Sequence, residues 1–276
     1  MTNKWISIAS LVALIALCEG CSEPARAAEG AQASDETVQT LTAAKGAPRP
    51  TIVLVHGAFA DGTSWQKVIP LLEDDGYPVI AVQNTLVGIA DDVATTKRVI
   101  DAAAKKGPVV VVGHSYGGVI ITAAAVNPAV KALVYINAYA PESGEVLGEL
   151  SHRLGPGPLD AALVADTAGF LTVDTTQFRA IFCADINAVD TRVAAAAQKP
   201  TASAVFSQSV SVAAWKDKPS WYLVGKEDRA ISPELERFMA KRIGAHTSEI
   251  HASHVSFISH PRFVTRLIEE AAQSSR

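Results

Sequence analysis

The sequence predicts an α/β fold, a doubly wound and mostly parallel sheet with helices on both faces and an inserted helical cap. Short runs rich in β-branched residues alternate with longer segments of helical periodicity, which is typical of a parallel sheet covered on both faces. One of these runs leads directly into a Gly-x-Ser-x-Gly sequence that opens a helical pattern. A long segment, residues 141–218, interrupts the alternation without forming a convincing buried strand.

The alternation begins at Thr51. The predicted strands are short buried runs, which lie at Thr51–Val55, Val79–Gln83, Val109–Val112, Ala132–Asn137, Trp221–Val224 and Thr247–His251. The predicted helices show apolar residues three or four apart and lie at Val68–Asp75, Asp91–Lys105, Gly117–Val126, Pro233–Ile243 and Pro261–Ala272. Residues 51–140 and 219–276 are therefore predicted to form one sheet core.

The interruption at residues 141–218 predicts a separate subdomain. It contains Ala-rich helical pieces and the sequence Gly155-Pro156-Gly157-Pro158, which marks turns. A loop of this length without structure of its own is uncommon in a compact domain. We expect a helical cap above the carboxyl ends of the strands, where doubly wound sheets bind their ligands.

The first residues have the pattern of an export signal. A basic residue precedes the uncharged run Ile6–Leu17, which is shorter than the ~20 residues that a membrane-spanning helix needs. An Ala-x-Ala sequence ends at Ala27, so residues 1–27 are predicted to be a signal peptide removed on export to the periplasm or the medium. The alternative is a lipid anchor on Cys18 or Cys21.

Composition restricts the classes of function. The chain has 276 residues, 49% hydrophobic and 19% charged, which supplies a sizeable core and excludes disorder for most of its length. A net charge of −4 and the lack of a Lys/Arg block argue against nucleic acid as a partner. Residues 28–50 are rich in Ala, Gln, Ser, Thr, Glu and Pro without sustained periodicity, which predicts a flexible leader.

The Gly-x-Ser-x-Gly sequence is the strongest indication of chemistry. Gly113 to Gly117 reads Gly-His-Ser-Tyr-Gly and directly follows the predicted strand Val109–Val112. A nucleophile elbow requires this strand–turn–helix context, because its glycines allow a turn so tight that the serine hydroxyl is held clear of its neighbours. The alternative, a glycine-rich turn with an idle serine, does not explain the context. Ser115 is the predicted nucleophile.

A serine hydroxyl is too weak an acid to attack unaided, so it needs a base and a carboxylate that orients the base. His254 follows the last predicted strand and Asp228 follows the strand before it, which places both at the sheet edge that carries Ser115. Glu227 is the competing carboxylate. The order of serine, aspartate and histidine along the chain is the order that accompanies an elbow of this kind.

An acyl-transfer site also needs two N–H donors for the developing oxyanion. Tyr116, directly after the nucleophile, is predicted to supply one from its backbone. The second is expected from the loop after the first strand, where Gly57 allows a close backbone approach. Ala58 is the predicted donor there, and Phe59 is the next choice.

Neither a metal nor a cofactor is predicted. His251 and His254 have the spacing of a metal-binding pair, but no HExxH pattern or carboxylate-rich partner accompanies them. The loop after the first strand lacks the lysine of a phosphate-binding loop. Three cysteines do not make a disulfide framework, and Cys183 is predicted to be a small buried residue of the cap.

These motifs together resemble the α/β-hydrolase superfamily. The segments that carry the likeness are His56–Phe59, Gly113–Gly117, Gly225–Asp228 and Ser253-His254. The chain is similar to capped bacterial hydrolases related to plant methylesterases of the salicylate-binding type and to hydroxynitrile lyases. The resemblance implies an esterase-like enzyme without metal or cofactor. The usual first strand pair has no counterpart before Thr51, which implies a sheet of about six strands.

The preferred hypothesis is a serine hydrolase that cleaves a small-molecule carboxylic ester through an acyl-enzyme intermediate. One alternative is a hydroxynitrile-lyase-like or other non-hydrolytic enzyme on the same three residues. The other is a ligand-binding protein with little turnover. Dehalogenase and epoxide hydrolase chemistry is excluded because those enzymes need an aspartate nucleophile where Ser115 stands.

Overall fold

The structure is a computed structural model that describes Arg49–Ser274. The predicted signal peptide at residues 1–27 and the leader as far as residue 48 lie outside the described residues, so export and lipid anchoring stay predictions. The Arg49 guanidinium lies over the ring of Tyr77, 4.6 Å from its centroid, and Pro50 is buried. The two described residues before Thr51 therefore pack against the fold.

The elements follow the predicted alternation. The strands are β1 (Thr51–Val55), β2 (Val79–Ala81), β3 (Val109–Ser115), β4 (Val130–Ala138), β5 (Leu163–Ala165), β6 (Phe170–Val173), β7 (Thr201–Ala202), β8 (Ser220–Gly225) and β9 (His246–Ile250). The α-helices are α1 (Ile69–Asp74), α2 (Ile89–Ala104), α3 (Gly117–Ala124), α4 (Leu147–Ser151), α5 (Thr175–Phe182), α6 (Ala188–Ala196), α7 (Pro233–Arg242), α8 (Ser256–Ser259) and α9 (Pro261–Gln273). Short 3₁₀ helices lie at Gly62–Trp65, Asp160–Ala162, Ser203–Ser207 and Ala214–Lys216.

Six strands form one parallel sheet in the order β2-β1-β3-β4-β8-β9. This confirms the predicted doubly wound sheet of about six strands. The strand order reverses at β1, because the chain runs outward to β2 and then returns to the other side of β1 as β3. In such sheets ligands bind in the crevice outside the carboxyl ends of the strands at this point.

Helices cover both faces of the sheet, as predicted. Successive strand residues point to opposite faces, so Val111 belongs to one buried cluster and Val112 to the other. The first cluster contains Ile100 and the inward residues of α2, α3 and α7. The second contains Ile268 and the inward residues of α1, α8 and α9.

The central strand β3 is longer than predicted. It runs past Val112 to Ser115, because its pairing with β4 continues as far as Ser115 opposite Ala138. The register shifts between His114 and Ser115, at the point where the chain leaves the sheet. The strand therefore delivers the predicted nucleophile to the carboxyl edge.

The segment between β4 and β8 contains the predicted helices, α4 to α6, and also a three-stranded antiparallel sheet of order β5-β6-β7. This sheet was not predicted, because its strands of two to four residues are too short to stand out as buried runs in the sequence. The sequence does contain a turn signal between β5 and β6. The Asp166 carboxylate accepts from the N–H groups of Ala168 (2.8 Å) and Phe170 (2.9 Å), and Gly169 has a φ of 82°.

The cap contacts the core at the carboxyl edge of the sheet. The N–H of Lys199 donates to the carbonyl of Phe59 in the loop after β1, at 3.3 Å. Between residues 49 and 274, no helix combines the length and the apolar character of a membrane span.

Candidate active site

Ser115 lies in a tight turn between β3 and α3. Its φ is 53°, a left-handed conformation that few residues other than glycine adopt. A Cβ on Gly117 would lie 2.5 Å from the carbonyl oxygen of Val55 and 2.7 Å from that of His56, so only glycine fits there. The turn therefore has the geometry that the sequence analysis predicted for an elbow, and Ser115 keeps 8% of its surface exposed.

His254 and Asp228 form a buried pair at the same edge. The Nδ1 atom of His254 is 2.6 Å from Oδ2 of Asp228, and both side chains are fully buried. Because a carboxylate only accepts, the neutral imidazole that fits this contact has its proton on Nδ1 and a free lone pair on Nε2. Among the described residues, Nε2 is buried and has no hydrogen-bond partner. Nε2 is therefore an acceptor that no described residue occupies.

The two competing carboxylates lie in different environments. The other carboxylate oxygen of Asp228, Oδ1, accepts from the N–H groups of Ala230 (2.8 Å) and Ile231 (2.9 Å), which holds the side chain in one orientation. Glu227 pairs with Nδ1 of His251 at 3.1 Å, and these two side chains are 57% and 77% exposed. The structure thus brings Asp228 to His254 and places Glu227 on the surface.

His114 connects the nucleophile turn to the histidine loop. Burial lowers the pKa of His114 well below its usual value, so the ring is neutral. Its Nε2 donates to the backbone carbonyl of His254 at 3.0 Å, and the two rings lie 4.6 Å apart. His114 directly precedes Ser115, so this contact ties the two loops together.

The loop after β1 packs directly against the nucleophile. A Cβ on Gly57 would lie 2.8 Å from the Cβ of Ser115, so glycine permits the contact. Among the described residues, the backbone N–H groups of Ala58 and Tyr116 donate to no acceptor. The N–H of Phe59, the next choice, donates to Oγ1 of Thr201 at 3.1 Å. Two unpaired donors therefore flank the nucleophile turn.

The side chain of Tyr116 is buried away from these donors. Its hydroxyl donates to Oδ2 of Asp92 at 3.0 Å, while Oδ1 of Asp92 accepts from the N–H groups of Thr85 (2.7 Å) and Leu86 (3.0 Å). Burial and the Asp92 carboxylate together raise the pKa of Tyr116. The sequence analysis missed Asp92, whose acidic side chain reads as a normal first-turn residue of a helix.

The cap holds the loop that carries His254. The carboxylate of Asp185, between α5 and α6, accepts from the N–H of Ser253 at 3.1 Å and from its hydroxyl. The same hydroxyl contacts the carbonyl oxygen of Phe182 at 3.0 Å, and the Phe182 ring meets the His254 ring edge-on, 5.0 Å away. No motif in the sequence indicated Asp185 or its contact with Ser253.

An apolar cavity of about 200 Å³ lies between the loop after β1 and helices α5 and α6. Ala58, Phe59 and His114 form its core side, and the cap contributes Phe178 and Phe182 among other apolar side chains. Two further aromatic cap residues do not line it. Phe170 lies in β6, and Trp215 donates from Nε1 to the carbonyl of Pro141.

The remaining polar groups of the described chain do not suggest other chemistry. Residues 49–274 contain no group of three or more His, Cys, Asp and Glu side chains arranged to hold a metal ion. Cys183 is buried in the cap, where burial raises the pKa of its thiol to about 12. The thiol is therefore protonated at neutral pH, as expected of a structural cysteine.

Comparison with known proteins assigns the chain to a family. A family model described as the alpha/beta hydrolase family matches residues 52–267, which is most of the chain. The chain belongs to the alpha/beta hydrolase family. This hydrolase therefore contains the six-stranded sheet and the tight turn at Ser115.

Relatives of this hydrolase include named enzymes. An alpha/beta hydrolase of Aspergillus novofumigatus is 26% identical over 245 residues, which cover 81% of this chain and 97% of the relative. Polyneuridine aldehyde esterase of Rauvolfia serpentina is 24% identical over 264 residues, 84% of this chain and 99% of the relative. A crystal structure of polyneuridine aldehyde esterase, at 20% identity, matches with a TM-score of 0.70 over 80% of this chain and 98% of that one, which shows the shared fold.

The predicted resemblance is confirmed by two further groups of relatives. Methylesterases of Arabidopsis thaliana match this hydrolase. An alpha-hydroxynitrile lyase of the same plant is 35% identical over 107 residues, which cover 34% of this chain and 42% of the relative.

The contact between Asp185 and Ser253 predicts a pH-dependent contribution to stability. Burial alone would raise the pKa of Asp185, but hydrogen bonds from Ser253 and Ser259 outweigh it and lower the pKa below 3.8. The stabilisation is therefore present above pH 3.8 and is lost as the pH falls through the folded-state pKa. Replacing Asp185 by Ala is expected to lower the free energy of unfolding by about 1 kcal/mol at neutral pH, since the carboxylate is partly exposed.

Urea unfolding at neutral and acidic pH measures this effect, with Asp74→Ala as the matched control. Asp74 is exposed at the end of α1, and its side chain makes no hydrogen bond to another described residue. We expect the difference between Asp185→Ala and the unmodified hydrolase to shrink in acid, while the control stays unchanged at every pH. A difference independent of pH would contradict the assigned role of the carboxylate.

Proposed function

We propose that this hydrolase is a serine esterase that cleaves carboxylic esters through an acyl-enzyme intermediate. The observation that carries the proposal is the fully buried pair of His254 and Asp228. Its free imidazole nitrogen faces no partner among the described residues, at the edge where β3 presents Ser115. A buried base with an open lone pair beside an elbow serine is suited to activating that hydroxyl.

In the first half-reaction, the Oγ atom of Ser115 attacks the carbonyl carbon of the ester while Nε2 of His254 takes its proton. The negative charge that develops on the carbonyl oxygen is held by the N–H groups of Ala58 and Tyr116, which are otherwise unpaired in the described structure. His254 then gives its proton to the alkoxide leaving group. The products are an alcohol and the acyl-enzyme.

In the second half-reaction, Nε2 of His254 takes a proton from water, and the resulting hydroxide attacks the acyl carbon. The tetrahedral intermediate uses the same two donors. Its collapse breaks the bond to Ser115, which recovers the proton from His254, and the carboxylic acid leaves. Throughout, Asp228 keeps the imidazole in the tautomer that has Nε2 free and stabilises its charged form.

The cavity beside the proposed active site favours a substrate that carries an apolar group. The cavity beside Ala58 is lined mainly by aromatic and aliphatic side chains, including Phe178 and Phe182. Apolar walls with few polar groups are typical of sites that bind small organic ligands. The relatives named as esterases support the same class of reaction.

Cyanohydrin cleavage is the second candidate function. The local similarity to an alpha-hydroxynitrile lyase favours it, but that match covers only 34% of this chain. The third candidate is a ligand-binding protein with little turnover.

One experiment distinguishes the three candidates. Purified protein should be assayed on a panel of p-nitrophenyl and aryl esters, amides, lactones and cyanohydrins.

We expect esters of apolar acids or alcohols to be hydrolysed, and Ser115→Ala to lower turnover by up to about 10⁶-fold without loss of the fold. Ser207→Ala is the matched control, because this exposed hydroxyl bonds only to the carbonyl of Ala204. Turnover of cyanohydrins alone supports the lyase. A folded Ser115→Ala protein that keeps a tenth of the ester activity contradicts the proposed nucleophile.

The two neighbouring carboxylates should respond differently to loss of charge. Asp228→Asn removes the acceptor for the Nδ1 proton, so the wrong tautomer forms and turnover should fall roughly 10⁴-fold. Glu227→Gln changes an exposed pair with His251 and should cost little. Steady-state kinetics on the best ester of the panel measures both. If Glu227→Gln is the damaging change, the orienting acid is the wrong residue.

A further inference from the structure

A second carboxyl group lies behind Asp228. Glu236 is in the first turn of α7, a helix whose N-terminus is capped by the hydroxyl of Ser232. Most acidic residues of such a turn face solvent, as Glu234 does, but Glu236 has no exposed surface. Its position, with Met239 and Ala240 three and four residues later, lies on the buried face of the helix.

One oxygen of the Glu236 carboxyl group accepts a hydrogen bond, and the other has no partner among the described residues. Its Oε2 accepts from the N–H of Gly225 at the end of β8, at 2.9 Å. Its Oε1 is buried and has no hydrogen-bond partner among the described residues. The carbonyl of the same Gly225 accepts from the N–H of Asp228 at 3.1 Å, so one residue of backbone joins Glu236 to Asp228, and both side chains are buried there. The Asp228 carboxylate raises the pKa of Glu236, as expected of a close acidic neighbour.

Two ionised carboxylates in this arrangement would be strongly unfavourable. Burial removes the water that stabilises each charge, and like charges in contact repel strongly at low dielectric. Asp228 has three donors, namely two backbone N–H groups and the imidazole of His254. Glu236 has fewer, because the N–H of Gly225 donates to it and the amide of Asn137 is its other polar neighbour. When two carboxyl groups share a site, the one with fewer donors retains the proton.

We propose that Glu236 is a positioning residue that remains a neutral acid in the folded enzyme and donates its proton in a hydrogen bond to Asp228. The proton supplies Oε1 with the partner it otherwise lacks. Asp228 then accepts from Ala230, Ile231, His254 and Glu236, so its orientation toward the imidazole is determined from all sides. The catalytic part of this inference rests on the proposed esterase function; the protonation state does not.

The surrounding charges agree with a neutral Glu236. Burial raises the pKa of Glu236 well above its usual range and Asp228 raises it further, whereas the Gly225 N–H and the Asn137 amide act in the opposite direction. The other titratable groups that face it are the buried phenols of Tyr139 and Tyr222, which carry no positive charge.

The nearest cation on the same helix does not neutralise Glu236. Arg237 points outward, where its guanidinium pairs with Glu249 at 2.8 Å and with Glu234 at 3.6 Å. Because Arg237 does not pair with it, the carboxyl group of Glu236 is neutral only when it keeps its proton.

A neutral buried acid has a measurable effect on stability that needs no substrate. In the unfolded chain Glu236 has a pKa near 4.5, so it ionises as the pH rises while the folded protein keeps the proton. Unfolding then releases a proton, and the unfolding equilibrium constant rises by up to about tenfold for each pH unit until the folded-state pKa is reached. Glu236→Gln removes this contribution and preserves both hydrogen bonds.

The test compares chemical denaturation of the unmodified protein, Glu236→Gln and the matched control Glu234→Gln between pH 5 and pH 8. We expect Glu236→Gln to become progressively more stable than the unmodified protein as the pH rises, and the exposed control to show no such trend. A stability difference that does not change with pH, or that changes in the opposite direction, overturns the proposal.

Kinetics tests the positioning role. Glu236→Ala should lower kcat by about ten- to a hundredfold with little change in KM, as for other groups that orient a catalytic side chain. Glu236→Gln should restore kcat, because its amide donates to Asp228 as the acid does. Equal losses in the Ala and Gln variants contradict a neutral donor. Failure of esterase activity in every variant, with the stability trend intact, would reject the function and keep the protonation state.

Discussion

A histidine and a carboxylate lie completely out of water at the edge of the sheet, and the fold tolerates this because nearly every polar atom of the pair has a partner. An unpaired buried charge would be strongly destabilising, whereas a paired and hydrogen-bonded one can persist. Asp228 is held by backbone donors of its own loop, and His254 by Asp228. Within this pair, the one side-chain nitrogen or oxygen without a partner among the described residues is Nε2 of His254, the atom that the proposed chemistry uses.

The sheet places these loops together through the reversal of its strand order. The loop after β1, the turn after β3 and the loops after β8 and β9 all leave the same edge. Close backbone packing at Gly57 and Gly117 then brings the first loop against Ser115. The cap adds a further constraint, because Asp185 holds the residue that precedes His254. Docking of the cap and assembly of the site are therefore coupled.

Local sequence patterns were sufficient to predict the sheet core. The alternation of buried runs and amphipathic helices determined the strand sequence, and the elbow motif located Ser115. Boundaries were less accurate, since β3 extends to Ser115 through pairing with β4, which only tertiary structure provides. The small sheet of the cap was missed because strands of two to four residues are too short to carry a periodic signal.

The residues around the site were harder to predict than the site itself. Asp92, Asp185 and Glu236 act through contacts with residues distant in sequence, so no spacing rule identifies them. Of these three residues, only Glu236 could be recognised from the sequence pattern, because it is an acidic residue on the apolar face of α7 with Met239 and Ala240. Such a conflict between residue type and helical face marks a position where a buried polar contact compensates.

The central claim is that His254 activates the hydroxyl of Ser115, and covalent labelling tests it most directly. A fluorophosphonate reacts with an activated serine, so intact-protein and peptide mass spectrometry should find a single adduct on the peptide that contains Ser115. The adduct should form far more slowly in the His254→Ala variant. Labelling at another residue, or labelling of Ser115 at the same rate in both proteins, would contradict the account.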